Sequence, residues 1–124
     1  MTTKGQRAVL EALEGEGAFL AAQDIHARLR AVGSPVGLTS VFRAAQALRD
    51  AGAIDEARLP SGELGYRLCE THKHHHHLMC TVCGATVEIE GAAVERWVAS
   101  VAAQHGYTPS DHTIEVLGTC AACS

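Results

Sequence analysis

Two Cys-x-x-Cys pairs, Cys80-Thr-Val-Cys83 and Cys120-Ala-Ala-Cys123, stand at either end of the last third of the chain. Each knuckle can place two thiolates on one ion at about 2.3 Å. Two knuckles of equal spacing predict one four-sulfur zinc site. Four thiolates fill the tetrahedron and leave no position for water, so such a site is structural and its binding energy is folding energy. The 36 residues between the knuckles exceed the span of a compact zinc ribbon, so each knuckle is expected to cap a different strand of one sheet. The competing readings are two redox dithiols, or buried cysteines acting as small hydrophobes.

Upstream, Cys69 precedes the run His74-His75-His76-His77. In an extended segment successive side chains point to opposite faces. His74 and His76 then share one face, His75 and His77 the other, and four consecutive histidines serve two sites. On the first face the expected set is His74, His76, Glu95 and His112. His112 shares the parity of Ile114 and Val116, and Glu95 edges the apolar stripe of a helix over 92–104. On the second face the expected set is Asp55, Cys69, His75 and His77. It draws two ligands from a hairpin and two from the second half, so an ion there would lock one half against the other. His72 and His105 are alternative ligands, and Glu56 or Glu70 can stand in for Asp55. His26 lies on a plain helix with no visible partner. A histidine cluster can also be an incidental metal scavenger. Thiolate with imidazole in a tetrahedron suits zinc, and nickel stays an option for the nitrogen-and-oxygen set.

These ligands need elements to position them. Val9, Leu10 and Leu13 mark a helix over 6–13 that Gly15 and Gly17 end. Ile25, Leu29 and Val32 mark a second over 22–32. A third begins near Thr39, a candidate N-cap, and ends at Gly52, a candidate C′ residue; Val41, Ala44, Ala45 and Leu48 form its buried stripe. Extended segments over 53–59 and 64–68 flank the turn Pro60-Ser-Gly62. Three helices and a hairpin outline a winged helix-turn-helix, whose third helix enters the DNA major groove. Thr39, Ser40, Phe42, Arg43 and Arg49 are the candidate contacts on that helix, with Lys4 and Arg7 toward phosphates; the bland alternative is an ordinary helical surface. Beyond the histidines, strands over 86–90 and 113–117 surround the helix 92–104, whose expected buried stripe is Val94, Trp97, Val98 and Val101. The fold class expected is α+β: a winged helix over 1–68, a hinge over 69–73, and a small α/β domain with a three-stranded sheet over 74–124.

The totals set limits. Of 124 residues, 47% are hydrophobic but only 4% aromatic, so small apolar side chains must fill the interior. Two units of this size have thin cores and need metal or a partner subunit. Residues 1–50 carry six Lys/Arg against five Asp/Glu, and 51–124 carry four against nine. The net charge of −4 opposes DNA binding unless something offsets it. The chain has no apolar run long enough to cross a membrane and no signal-peptide core, so a cytoplasmic location is expected, where thiols stay reduced.

The segment Thr3-Lys-Gly-Gln-Arg-Ala-Val-Leu, the helix Gly37-Leu-Thr-Ser-Val-Phe-Arg-Ala-Ala-Gln-Ala-Leu, the histidine run and both knuckles together resemble the ferric uptake regulator (Fur) family. The similarity spans nearly the whole chain and leans to the zinc-sensing branch found in actinobacteria. It implies a homodimeric repressor, not an enzyme, that binds double-stranded DNA at a palindromic, AT-rich operator. It also implies up to three Zn(II) per subunit: structural at Cys80, Cys83, Cys120 and Cys123, regulatory at Asp55, Cys69, His75 and His77, and a further ion at His74, His76, Glu95 and His112. Phe42 stands where the family usually has Tyr, and Ala44-Ala45 where it usually has Thr-Leu. The rival functions are a sensor of iron, nickel or peroxide, a zinc hydrolase, and a zinc buffer or chaperone that ignores DNA. The hydrolase fares worst, because each ligand set fills four places with protein atoms and no partnered nucleophile is apparent.

Overall fold

The computed structural model describes residues 2–69 and 74–124. Helix α1 spans Lys4–Leu13, earlier than its apolar spacing suggested, because Thr3 and Gln6 form a capping box. The Gln6 amide donates to Thr3 Oγ1 at 3.1 Å and the Thr3 amide to Gln6 Oε1 at 3.3 Å, satisfying two donors a helix start otherwise leaves open. A two-residue strand, β1 (Leu20–Ala21), leads into α2 (Ala22–Ala31). Helix α3 runs Leu38–Asp50. Thr39 is not its cap: the Gly37 carbonyl accepts the first helical bond, from Val41 N at 3.0 Å, so Gly37 caps and Thr39 lies inside the first turn. Gly52 follows the helix with φ +77°, as a C′ glycine should. Strands β2 (Ile54–Arg58) and β3 (Leu64–Leu68) form the wing, with Asp55 opposite Arg67, and β1 extends the sheet on the far side of β3.

Val9, Leu13, Ile25, Leu29, Val41, Ala44, Ala45, Leu48, Ile54 and Tyr66 interlock as one buried core. Each helix contributes residues three or four apart, so one stripe of each faces inward. This half therefore has a conventional apolar interior.

The second sheet is built differently. Strand β4 (His76–Cys80) lies between β5 (Thr86–Ile89), antiparallel, and β6 (Glu115–Gly118), parallel. Helix α4 (Ala92–Gln104) makes the crossover a parallel pair requires. The stripe expected to be buried is not: no residue of α4 is buried, and Trp97 is 63% exposed. Leu78 faces Val87 on one neighbour and Val116 on the other, and these three are 41%, 57% and 45% exposed. The amphipathic pattern is real, but among the described residues its apolar side is covered only in part: Val94, Val98 and Val101 are half-buried and Trp97 is exposed.

On the other face of β4, Met79 packs with Phe19, Ala57 and Leu59 from the N-terminal half. The Thr86 amide donates to Gly17 O at 3.0 Å, and Ala18 bridges Ala85. Gly65 permits this joint, since a Cβ there would stand 2.9 Å from Phe19 Cβ and 2.8 Å from Leu59 Cδ2. Of the expected hinge 69–73 only Cys69 is described; Glu70 and His72, the alternative ligands, lie outside the described residues.

Candidate metal centres

The turn after β4 and the chain end after β6 carry the two knuckles to the same edge of the sheet. Cys80, Cys83, Cys120 and Cys123 all have sulfurs within 4.8 Å of one another. Cys83 Sγ and Cys120 Sγ are 3.7 Å apart, and four sulfurs about 2.3 Å from one zinc stand roughly 3.8 Å apart. The donor set therefore fits tetrahedral zinc. Backbone amides of Cys120, Cys83 and Val82 approach Cys80 Sγ at 3.4–3.5 Å. Those hydrogen bonds, Cys120 first, hold the Cys80 thiol down to about 6. Hydrogen bonds to Cys120 and Cys83, with burial, push Cys123 up to about 12. The cluster thus already favours a thiolate at one corner, the form that binds metal.

The histidines separate by parity. His76 Nε2 lies 2.7 Å from Glu95 Oε1, His112 Nε2 3.1 Å from the same oxygen, and His74 Nε2 3.1 Å from His112 Nε2. Each of the four contributes one ligand atom to a group within 4.8 Å. Zinc at about 2.0–2.1 Å from nitrogen and oxygen donors sets them roughly 3.3–3.4 Å apart, so a few tenths of an ångström of opening admits the ion. The hydrogen bond from His76, helped by His112 and opposed by burial, holds the Glu95 carboxyl down to about 2.

On the opposite face, His75 Nε2 lies 2.7 Å and His77 Nε2 3.2 Å from Asp55 Oδ2. Asp55 comes from the wing, His77 from β4 and His75 from the residue just before that strand, so this cluster straddles the junction. Burial alone would raise the Asp55 carboxyl; the hydrogen bonds to His77 and His75 and their charges carry it below its ordinary value. The group whose ligand atoms all lie within 4.8 Å comprises Asp55, Cys69, His75 and Glu88. Glu88 was missed in the sequence. It stands directly opposite His77 across β4–β5, and only that register brings it to the histidine face. His77, expected in the set, is outside that group but reaches Asp55 at 3.2 Å, and its ring packs edge-on against Phe19 at 4.9 Å. His105 follows α4 as its C-cap and His26 sits on α2; neither belongs to a cluster among the described residues.

The outer face of α3 presents Thr39, Ser40, Phe42 and Arg43 to solvent, and Lys4 and Arg7 are exposed on α1. A cleft of about 620 Å³ between α3 and the wing is lined by Leu38, Thr39, Phe42, Arg43 and Leu64, among others. Arg49 is otherwise engaged, with Nη1 2.8 Å from Glu56 and Nη2 2.9 Å from Asp50, which ties α3 to the wing.

Fold and clusters define a class: a winged-helix regulator with metal-ligand side chains gathered in and beside a second sheet. Within that class, the chain belongs to the ferric uptake regulator family, whose model matches residues 1–117. It is 42% identical over 122 residues to the zinc uptake regulation protein of Mycobacterium tuberculosis, covering 98% of this chain and 93% of that one. The solved structure of FurB from M. tuberculosis, a zinc uptake regulator, is 41% identical, covers 99% and 95% of the two chains and superposes with a TM-score of 0.56. A zinc uptake regulator complexed with zinc and DNA is 26% identical, covers 99% and 83%, and superposes with a TM-score of 0.82.

Proposed function

We propose that this protein is a zinc-responsive transcriptional repressor of zinc uptake genes, acting in the cytoplasm as a homodimer on a palindromic, AT-rich operator. The observation that carries the reading is the junction cluster: Asp55 and Cys69 from the wing side lie within 4.8 Å of His75 and Glu88 of the second half, and Asp55 also reaches His77 of β4 at 3.2 Å. Zinc held there would supply a divalent centre able to take carboxylate, thiolate and imidazole ligands together. Asp55 and Cys69 would hold it from the reading half and His75 and His77 from the platform, which would fix the angle between the halves. Without that link the DNA-competent angle is one member of an ensemble.

The working division of the chain is a reading domain over 1–68, a hinge over 69–73 and a dimerisation domain over 74–124. The uncovered row Leu78, Val87 and Val116, with Trp97 of α4, supports dimerisation through the second sheet, because apolar surface of this kind marks an interface. Two recognition helices then reach successive grooves. Exposed Leu38 and Phe42 beside Arg43 suit the thymine methyl groups of an AT-rich site. Zinc on four cysteine thiolates adds about two negative charges to the −4 of the chain, and the histidine-containing sites act against this: loss of one Cys69 proton on accepting a divalent ion adds about one positive charge per subunit. The histidine–glutamate set adds about two by the same reasoning.

A fluorescence anisotropy titration of an AT-rich palindrome at fixed salt, with buffered zinc swept across it, tests this. Affinity rises with zinc and falls steeply with salt, and operator DNA tightens zinc binding by the same factor. Zinc uptake with no change in DNA affinity would identify a zinc buffer instead.

A further inference from the structure

Glu88 faces two ways. Its Oε1 lies 3.2 Å from Arg67 Nη1 and 3.7 Å from His75 Nε2. The Arg67 and Glu88 side chains are only 5% and 9% exposed. Arg67 sits on β3 directly opposite Asp55, and Glu88 on β5 directly opposite His77. This ion pair therefore crosses the junction at the cluster itself: Glu88 lies with Asp55, Cys69 and His75 in one group whose ligand atoms are within 4.8 Å of one another, and His77 reaches that group through Asp55 at 3.2 Å.

We propose that Arg67 sets the metal selectivity of the junction site by holding Glu88 back as an outer partner, so that Asp55, Cys69, His75 and His77 meet the ion without a fifth, oxygen donor. The inference rests on the junction-site reading above. Asp55, a Cys69 thiolate and two neutral imidazoles exactly balance the charge of a divalent ion. Adding Glu88 leaves one surplus negative charge. It also draws the carboxylate off a nearly buried guanidinium, and parting a buried ion pair is strongly unfavourable. Four donors including sulfur and nitrogen favour zinc, whereas added carboxylate oxygens and higher coordination favour harder ions such as manganese. Arg67 is thus a positioning residue: it touches the carboxylate and not the ion.

The test uses the full chain with its four-sulfur site filled by zinc, titrated with Co(II) as a spectroscopic probe. The wild type shows a Cys69-dependent thiolate charge-transfer band and the intense visible absorption of four-coordinate Co(II). If Cys69→Ser leaves that band unchanged, the junction-site reading itself fails. Given the band, Arg67→Met is expected to weaken the visible absorption severalfold as Glu88 joins the ion, and to narrow the preference for zinc over manganese by about tenfold, the low end for an outer partner. The double variant Arg67→Met/Glu88→Gln restores the wild-type spectrum. An unchanged Arg67→Met spectrum, or a double variant as weak as the single, overturns the proposal. Glu88→Gln alone keeps an oxygen for Arg67, so it decides the matter if Arg67→Met does not fold. It leaves the Co(II) spectrum as in the wild type, and a changed spectrum shows that Glu88 already ligates.

Discussion

The two halves hold themselves together by different means. The N-terminal half closes ten side chains, from Val9 to Tyr66, into one apolar core. In the second sheet the buried side chains are His76, His77, Met79, Cys80 and Thr86, and α4 buries none. Low aromatic content and short strands leave that half too little apolar area to offset its conformational entropy. Its cohesion must come from ligand clusters, from the joint at Phe19 and Met79, and from whatever covers Trp97. On the proposed reading, the half held by ligand clusters reports on metal, and the half with its own core moves as a rigid reading head.

Breaking the four-sulfur cluster has the largest expected effect. Cys80→Ser, or exhaustive chelation, abolishes the ordered second sheet while the helical signal of α1–α3 persists; circular dichroism with amide hydrogen exchange separates the halves. If both halves melt together, the contrast between them is wrong. Next, Ile25→Ala removes fully buried atoms from the first core and lowers its stability by about 2–5 kcal/mol, while bound zinc measured by a chromophoric chelator stays unchanged. The junction comes third. Cys69→Ser or His77→Ala leaves both halves folded and the chain dimeric, but removes the zinc-induced gain in operator affinity, expected to be about 5- to 150-fold as for allosteric couplings generally; anisotropy reads it. The smallest effect belongs to the α1 cap: Thr3→Ala costs about 1 kcal/mol in thermal or urea unfolding and is confined to the N-terminal half. A Thr3 effect on zinc affinity would show that the halves are coupled more tightly than their separate interiors imply.

Much of this was readable from the chain itself. Cys-x-x-Cys spacing is local chemistry, and both knuckles converge. The left-right sorting of His74 to His77 follows from backbone geometry alone, so His74 and His76 meet Glu95 and His112 while His75 and His77 meet Asp55. The α3 stripe was equally legible, because helix periodicity needs no partner to be seen. The α1 start was displaced because its capping box lies ahead of the apolar positions.

What tertiary structure decided was register and cover. Glu88 reaches the junction because the knuckle turn pairs it with His77; a slip of one residue would send it to the other face. Arg49 is engaged by Glu56 only because α3 ends beside the wing. The stripe on α4 reads the same in sequence whether its own sheet or another surface covers it, since hydrophobic burial has no direction of its own. Local spacing therefore determined which side chains can bind metal and on which face each stands, and long-range packing chose which neighbours share the site and which apolar face stays open.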